Sequence, residues 1–129
     1  MNLLLDTHTT IWFITEDKTL PSNVKTLIED TTNTCFVSIA SLWEMGIKHS
    51  LGKLNLKVDL KRIFELIDLS GLTILPITTS PILTNTTLEF HHRDPFDRLI
   101  IAQAKSEGLT IASKDVVFKD YNIDLVWKN

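Results

Sequence analysis

The sequence lacks the features that mark disulfide-stabilised, fibrous and membrane-spanning proteins. Cys35 is its one cysteine among 129 residues, which excludes an internal disulfide and a cysteine-rich zinc site. Four glycines and four prolines are too few for a collagen-like or low-complexity chain. No apolar run reaches the ~20 residues that cross a bilayer. Because Asp6 interrupts the first apolar residues, no signal peptide is expected, and we predict a cytoplasmic protein without membrane contact.

An excess of positive charge is also missing. Lysine and arginine total 13 against 16 acidic residues, for a net charge of −3, which argues against nucleic-acid binding through overall positive charge. An enzyme that handles phosphate through bound metal ions instead needs clustered carboxylates, and these lower the net charge. The positions of the acids are therefore more informative than their number.

Short apolar runs alternate with longer amphipathic segments along the chain. The length and the 43% of hydrophobic residues are enough for one domain, residues 1–129, with its own core. The alternation predicts an α/β fold with a mainly parallel sheet. The expected strands are 2–5, 34–37, 72–75, 109–112 and 123–126, and the expected helices are 7–14, one beginning at Pro21, 38–50, 59–69, 80–89 and 95–107.

Four acidic residues fall where such a sheet would hold a ligand. Ligands of open parallel sheets bind at the carboxyl ends of the strands. Asp6 directly follows the first strand, and Asp115 follows the fourth by two residues. Glu44 lies early in the helix after the second strand, and Asp97 lies in the first turn of the helix that feeds the fourth.

Each of these acids also has a purely structural explanation. Asp6 and Asp115 can cap the turns that follow them, and Asp97 can be an ordinary first-turn acid. Glu44 can close a capping box with Ser41, or pair with Lys48 one turn later. Taken singly, each structural explanation has at least even odds.

Helix geometry favours a shared site for Asp97. It lies on one face with Ile100, Ile101 and Ala104, while Arg98 is expected on the wetter side. A carboxylate on the sheet-facing side is costly unless a partner compensates its charge.

Four carboxylates in one crevice stay ionised together only if cations neutralise them. An oxygen-only ligand set suits a hard ion such as Mg²⁺ or Mn²⁺. Such an ion orients water as a nucleophile and stabilises the leaving oxygen of a phosphodiester. The four acids therefore suggest metal-dependent phosphodiester hydrolysis.

Three stretches of the sequence resemble PIN-domain proteins, and most of all the VapC ribonuclease toxins of bacterial type II toxin–antitoxin pairs. They are 3–8 (LLLDTH), 37–44 (VSIASLWE) and 91–104 (HHRDPFDRLIIAQA), and the tail 108–115 (GLTIASKD) fits as well. The run 91–104 is the most specific, and the resemblance covers essentially the whole chain.

The resemblance implies a flavodoxin-like three-layer fold and an acidic pocket holding Mg²⁺ or Mn²⁺. It implies an RNA substrate, a cognate antitoxin and a homodimer. The family's acidic ligands match Asp6, Glu44, Asp97 and Asp115 here. Thr7, Asp94 and Ser113 are expected beside them as hydrogen-bond partners or caps.

Other polar residues have weaker cases. Lys48, Arg93, Arg98 and Lys114 are candidate RNA phosphate contacts, although any one of them is more often a solvated cation. His91 and His92 are expected as a solvated loop pair or as RNA contacts, and Trp43 as a core or interface residue.

Two alternative functions remain. In the first alternative, the chain is an inactive PIN-like module that only binds a partner. In the second, which is less favoured, it is a phosphoryl-receiver signalling domain. A receiver needs an acid at the end of its third strand, where this sequence has Leu75 and Pro76. The sequence does not identify the RNA, the antitoxin, the number of metal ions or the oligomeric state.

Overall fold

The sheet is five-stranded and entirely parallel, with the strand order β3-β2-β1-β4-β5. The computed structural model describes residues 1–56 and 58–127. The strands are β1 Asn2–Leu5, β2 Thr34–Ser38, β3 Thr73–Leu75, β4 Thr110–Ala112 and β5 Leu125–Val126. The helices are α1 Thr7–Ile14, α2 Ser22–Glu29, α3 Ile39–Ser50, α4 Leu60–Leu69, α5 Thr79–Thr86 and α6 Pro95–Glu107, and a 3₁₀ helix spans Val116–Tyr121. This confirms the predicted α/β class and the parallel sheet.

Strand β1 occupies the centre because it is apolar on both faces. Leu3, Leu4 and Leu5 are fully buried. Leu4 packs with Ile101 of α6 on one face, while Leu3 and Leu5 pack with the α2 side on the other. Alternate residues of a strand point to opposite faces, so a continuous apolar run produces the predicted three-layer arrangement. The residue that follows β1 therefore emerges in the middle of the sheet edge.

Helix α6 shows why the sequence predicted its limits correctly. The Asp94 carboxylate accepts hydrogen bonds from the backbone N–H groups of Phe96 and Asp97, at 2.9 and 3.0 Å. Pro95 occupies the first turn, where its missing N–H costs nothing. Gly108 ends the helix in the left-handed region with φ of 67°, which glycine adopts without strain.

Helix α3 has its predicted extent to within one residue, and its cap decides between the two structural explanations of Glu44. The N-cap is Ser38, whose Oγ accepts a hydrogen bond from the backbone N–H of Ala40. The capping box of Ser41 and Glu44 therefore does not form, and Glu44 pairs with Lys48 instead. Trp43 lies on the outer side, 66% exposed, and is not a core residue. The buried face carries Ser41 and Glu44 instead, which directs the Glu44 carboxylate inward.

None of the helices within residues 1–56 and 58–127 combines the length and the apolar composition needed to cross a bilayer.

Candidate active site

The carboxyl ends of the central strands open into a cavity of about 580 Å³. The Asp6 backbone N–H donates to the Ala112 carbonyl at 3.2 Å, so Asp6 lies where β1 and β4 end side by side. All four predicted acids line the cavity, together with several of their predicted neighbours. The lining residues are Asp6, Thr7, His8, Trp12, Glu44, Lys48, Asp94, Asp97, Lys114, Asp115 and Val116.

Asp6 caps helix α1, as its structural explanation predicts, and it also lies in the cavity. One carboxylate oxygen caps α1 by accepting the backbone N–H of Thr9 at 2.9 Å, and the other accepts the hydroxyl of Ser113. Burial raises the pKa of Asp6, while the hydrogen bonds from Ser113 and Thr9 oppose that rise. The carboxylate is thus held by two donors at the bottom of the cavity.

Glu44 is buried and is held from two sides. The Thr7 hydroxyl donates to its Oε1, and the Lys48 ammonium pairs with its Oε2. Lys48 was predicted as an RNA phosphate contact, but here its ammonium lies inside the acidic cavity. The hydrogen bond to Glu44 raises the pKa of Lys48, and the charges of Glu44, Asp94 and Asp97 raise it further. Lys48 therefore neutralises part of the negative charge of the cavity.

Asp97 shows how close the acids lie to one another. Burial, together with the neighbouring carboxylates of Asp94, Asp6, Glu44 and Asp115, raises its pKa from 3.8 to about 7. Four like charges act on one partly buried group only when they share its surroundings. The predicted convergence of the acids on Asp97 is thus present in the fold.

Asp115 is the most exposed of the four predicted acids. Its carboxylate caps the 3₁₀ helix by accepting the Val117 N–H at 3.0 Å. Its own N–H donates to the Ser113 Oγ at 3.0 Å, and that hydroxyl donates in turn to Asp6. Ser113 therefore links the loop after β4 to the acid after β1.

The chemistry of the donor set fits a hard divalent cation. The acidic lining offers carboxylate oxygens, which Mg²⁺ and Mn²⁺ prefer. Burial first and the surrounding carboxylates second raise the pKa of Asp97, which a bound cation would counteract. Within the part of the chain that the structure describes, no three His, Cys, Asp or Glu side chains are already arranged to hold a metal ion. The acids are turned instead toward protein donors, Ser113 for Asp6 and Thr7 with Lys48 for Glu44.

Arg98 corrects one prediction about the site. It was expected on the wet side of α6 as a phosphate contact, but it is only 5% exposed. Its guanidinium donates to the carbonyl oxygens of Leu88 and Glu89, at 3.2 and 2.8 Å, and lies 4.1 Å from the centre of the Phe90 ring. The segment before α6 folds back over this side of the helix and encloses Arg98. Its role is therefore structural.

Of the remaining predicted RNA contacts, one lines the cavity, one lies outside it and one is engaged in hydrogen bonds. Lys114 is exposed and lines the cavity, while Arg93 is exposed outside the lining. His92 is neither solvated nor free, because its Nδ1 lies 2.7 Å from the Tyr121 hydroxyl and its Nε2 lies 3.4 Å from Asp97 Oδ2. Sequence analysis missed this contact, and no spacing signal pointed to Tyr121.

Known proteins share this fold. The chain superposes on VapBC2 from Rickettsia felis, solved with a promoter DNA fragment, with a TM-score of 0.73 and 21% identity over 99% of this chain and 100% of that chain. VapBC-1 from nontypeable Haemophilus influenzae gives a TM-score of 0.69 and 17% identity over 98% and 97%. FitAcB from Neisseria gonorrhoeae gives 0.62 and 19% over 95% of each chain.

These identities establish similarity of fold alone. No curated protein matches the sequence significantly. The family model of the PIN domain, however, matches residues 3–123, which include all four predicted acids. With almost the entire chain matched, the protein belongs to the PIN domain family.

Proposed function

We propose that the protein is a metal-dependent endoribonuclease, the toxin of a type II toxin–antitoxin pair, which hydrolyses RNA phosphodiester bonds. The observation that supports this most strongly is the meeting of Asp6, Glu44, Asp97 and Asp115 in one cavity at the ends of the central strands. PIN domains are generally nucleases, and the sequence motifs resemble those of VapC toxins. Cellular RNA is the target in this proposal, so we place the protein in the cytoplasm.

The proposed cofactor is Mg²⁺ or Mn²⁺, held by Asp6, Glu44, Asp97 and Asp115. When bound, the cation supplies the positive charge that activates water and stabilises the charge developing on the phosphodiester oxygens. Ser113 and Thr7 orient two of the carboxylates through their hydroxyls. The buried positions of Asp6 and Glu44 exclude bulk water from this side of the site.

Cations at the rim of the cavity are proposed to bind the RNA backbone. Lys114 is exposed beside Asp115 and Val116, and Arg93 is exposed in the loop before α6. Phosphate contacts of this kind position a nucleic acid without reading its sequence. Lys48 is closer to the acids and balances their charge while it pairs with Glu44.

The two alternatives are weaker. Membership of the PIN family excludes a receiver domain, and β3 ends at Leu75, followed by Pro76, without the acid that a receiver requires. An inactive binding module would have no need for mutually repelling carboxylates, because their repulsion destabilises the fold. Five line this cavity: Asp6, Glu44, Asp94, Asp97 and Asp115. The intact acidic set therefore favours an enzyme.

The first test is cleavage in cells. Induction of the wild-type protein without an antitoxin is expected to create new RNA 5′ ends and arrest growth, and Asp6→Asn is expected to do neither. Asn has almost the shape of Asp and still caps α1, so the fold should be retained, as a thermal melt can verify. New RNA ends of equal abundance with both proteins would contradict the proposal.

We also propose an antitoxin partner and a homodimer. The matched VapBC and FitAcB structures are toxin–antitoxin complexes. A free ribonuclease would also harm its own cell, so an inhibitory partner is expected. An antitoxin helix in a groove beside the cavity, with a basic side chain on the acids, would block cleavage. Purification from the native cells is expected to yield a stable complex with a small partner protein, and this complex is expected to lack RNase activity. A toxin that is monomeric at every concentration would contradict the homodimer, and a toxin that co-purifies with no small protein would contradict the antitoxin.

A further inference from the structure

The Tyr121 hydroxyl joins three segments of the chain. Tyr121 is 4% exposed, at the end of the 3₁₀ helix. Its oxygen lies 3.2 Å from Arg98 Nη1, 3.2 Å from the backbone N of His92 and 2.7 Å from His92 Nδ1. Arg98 is itself fixed by two backbone carbonyls and the Phe90 ring. The hydroxyl is thus held in place by a buried and well-anchored cation.

The direction of these hydrogen bonds follows from the chemistry of the groups. A guanidinium and a backbone N–H only donate, so the Tyr121 oxygen accepts from both Arg98 and His92 N. Its own proton then goes to His92 Nδ1, because the other acceptor, the His92 carbonyl, lies at 3.5 Å. With Nδ1 as an acceptor, a neutral imidazole carries its proton on Nε2.

The protonated Nε2 of His92 lies 3.4 Å from Asp97 Oδ2. Hydrogen bonds therefore run in one direction, from Arg98 to Tyr121, from Tyr121 to His92 and from His92 to Asp97. We propose that His92 is a positioning residue, which orients the Asp97 carboxylate toward the cavity and is itself oriented by Tyr121. This inference rests on the proposed function in one respect, the assignment of Asp97 as a metal ligand.

The same arrangement occurs at the other buried acids. Ser113 donates to Asp6, and Thr7 donates to Glu44, so each of these acids also accepts a hydrogen bond from a neighbouring side chain. Hydrogen-bond partners of this kind fix the orientation of metal ligands, and their loss typically lowers metal affinity by about 10- to 100-fold. His92 would complete the set for Asp97.

Mn²⁺ binding to the full-length protein, measured by titration calorimetry, tests the inference without using activity. His92→Ala is expected to weaken Mn²⁺ binding by about 10-fold or more, and Tyr121→Phe by a smaller factor, because the imidazole loses its orientation but not its N–H. His92→Gln, whose amide can donate from a similar position, is expected to recover most of the affinity. His49→Ala is the control, since His49 is exposed at the end of α3 and lies outside the cavity lining. His91 does not serve, because its ring packs against Tyr121 with 4.8 Å between ring centres.

The tautomer of His92 provides a second readout, in metal-free protein. Nitrogen NMR at mildly alkaline pH is expected to show one imidazole with a bare Nδ1 and a protonated Nε2, whose signals vanish in His92→Gln. In Tyr121→Phe the same ring should shift toward a mixture of tautomers. A histidine that accepts no hydrogen bond from Tyr121 would show a mixture of tautomers already in wild type.

The two measurements separate the possible failures. If wild-type protein binds no Mn²⁺, the proposed metal site fails, and the tautomer of His92 in wild type and Tyr121→Phe decides the orientation by itself. If wild type binds Mn²⁺ and folded His92→Ala binds it equally well, the positioning inference is wrong and the metal site stands. A protonated Nδ1 in wild type would also overturn the inference.

Discussion

In excess EDTA the purified protein is expected to leave RNA intact, and added Mg²⁺ or Mn²⁺ is expected to restore cleavage fully. The carboxylates that line the cavity repel the phosphate when no cation is present, and the ion supplies the charge that activates water. RNA cleavage should be followed in one preparation before chelation, after chelation and after the metal is returned. Cleavage that continues unchanged in EDTA would contradict the proposed mechanism.

Metal binding should also be visible without RNA. An ion that binds only the folded protein stabilises it by about 2.7 kcal/mol when its concentration is 100 times the dissociation constant, so Mn²⁺ should raise Tm in wild type. Because the pKa of Asp97 is about 7 in the metal-free protein, this carboxyl is partly protonated near neutral pH. Metal binding there should release a fraction of a proton, which calorimetry in buffers of different ionisation enthalpy measures.

Local sequence signals predicted the parts of the fold that depend on neighbouring residues. Asp94, Pro95 and Gly108 set the limits of α6 through capping and backbone preference, and the run Leu3 to Leu5 specified a central strand. The placement of the acids followed because carboxyl ends of parallel strands share one edge of a sheet. The edge strands β3 and β5 are one and two residues shorter than their predicted ranges, 72–75 and 123–126.

Contacts between distant segments were not predictable in this way. Arg98 follows Asp97 directly, and helical periodicity placed it on the solvent side. The segment at Leu88 and Glu89 then folds over it and supplies carbonyl acceptors. His92 likewise meets Tyr121 across 29 residues. No periodicity encodes such contacts, because they arise from how a loop returns to the helix.

Trp43 was predicted as a core or interface residue, and its exposure excludes the core. Helix α3 turns Ser41 and Glu44 inward and leaves Trp43 outside. Burial of the polar residues is compensated by the hydrogen bonds to Thr7 and by the charge of Lys48. The buried face of α3 is therefore partly polar, which the spacing of apolar residues does not predict.

Asp97→Asn is expected to abolish RNA cleavage, whereas Asp94→Asn is expected to retain most of it. Asp94 and Asp97 are three residues apart and both line the cavity, but the geometry assigns them different tasks. The Asp94 carboxylate is occupied as the cap of α6, and Asn caps about as well as Asp. Among the described residues, the Asp97 carboxylate has one hydrogen-bond partner, His92, at a long 3.4 Å, and its pKa is raised by burial and by the other carboxylates.

The same pair should differ in stability without metal. Because the pKa of Asp97 is raised on folding, the native state holds more protons than the unfolded state between pH 3.8 and about 7, and stability falls as pH rises through that window. A pKa rise of this size corresponds to a loss of roughly 4 kcal/mol in the free energy of unfolding at pH values above the window. Asp97→Asn removes the charge and should recover part of that loss at pH 8. Asp94→Ala should instead lose about 0.5–2 kcal/mol through the missing cap.

Three variants therefore separate the two roles: Asp97→Asn, Asp94→Asn and Asp94→Ala, each studied by Mn²⁺ titration, thermal melts across pH and RNA cleavage. Asp97→Asn should lose Mn²⁺ affinity and cleavage while its Tm at alkaline pH, without metal, exceeds that of wild type. Asp94→Asn should bind Mn²⁺ nearly as well as wild type, and Asp94→Ala should melt earlier while still cleaving below its Tm. If Asp94→Asn binds Mn²⁺ as poorly as Asp97→Asn, Asp94 is itself a metal ligand and its assignment as a cap alone is wrong, because removing its charge would then remove a bond to the ion.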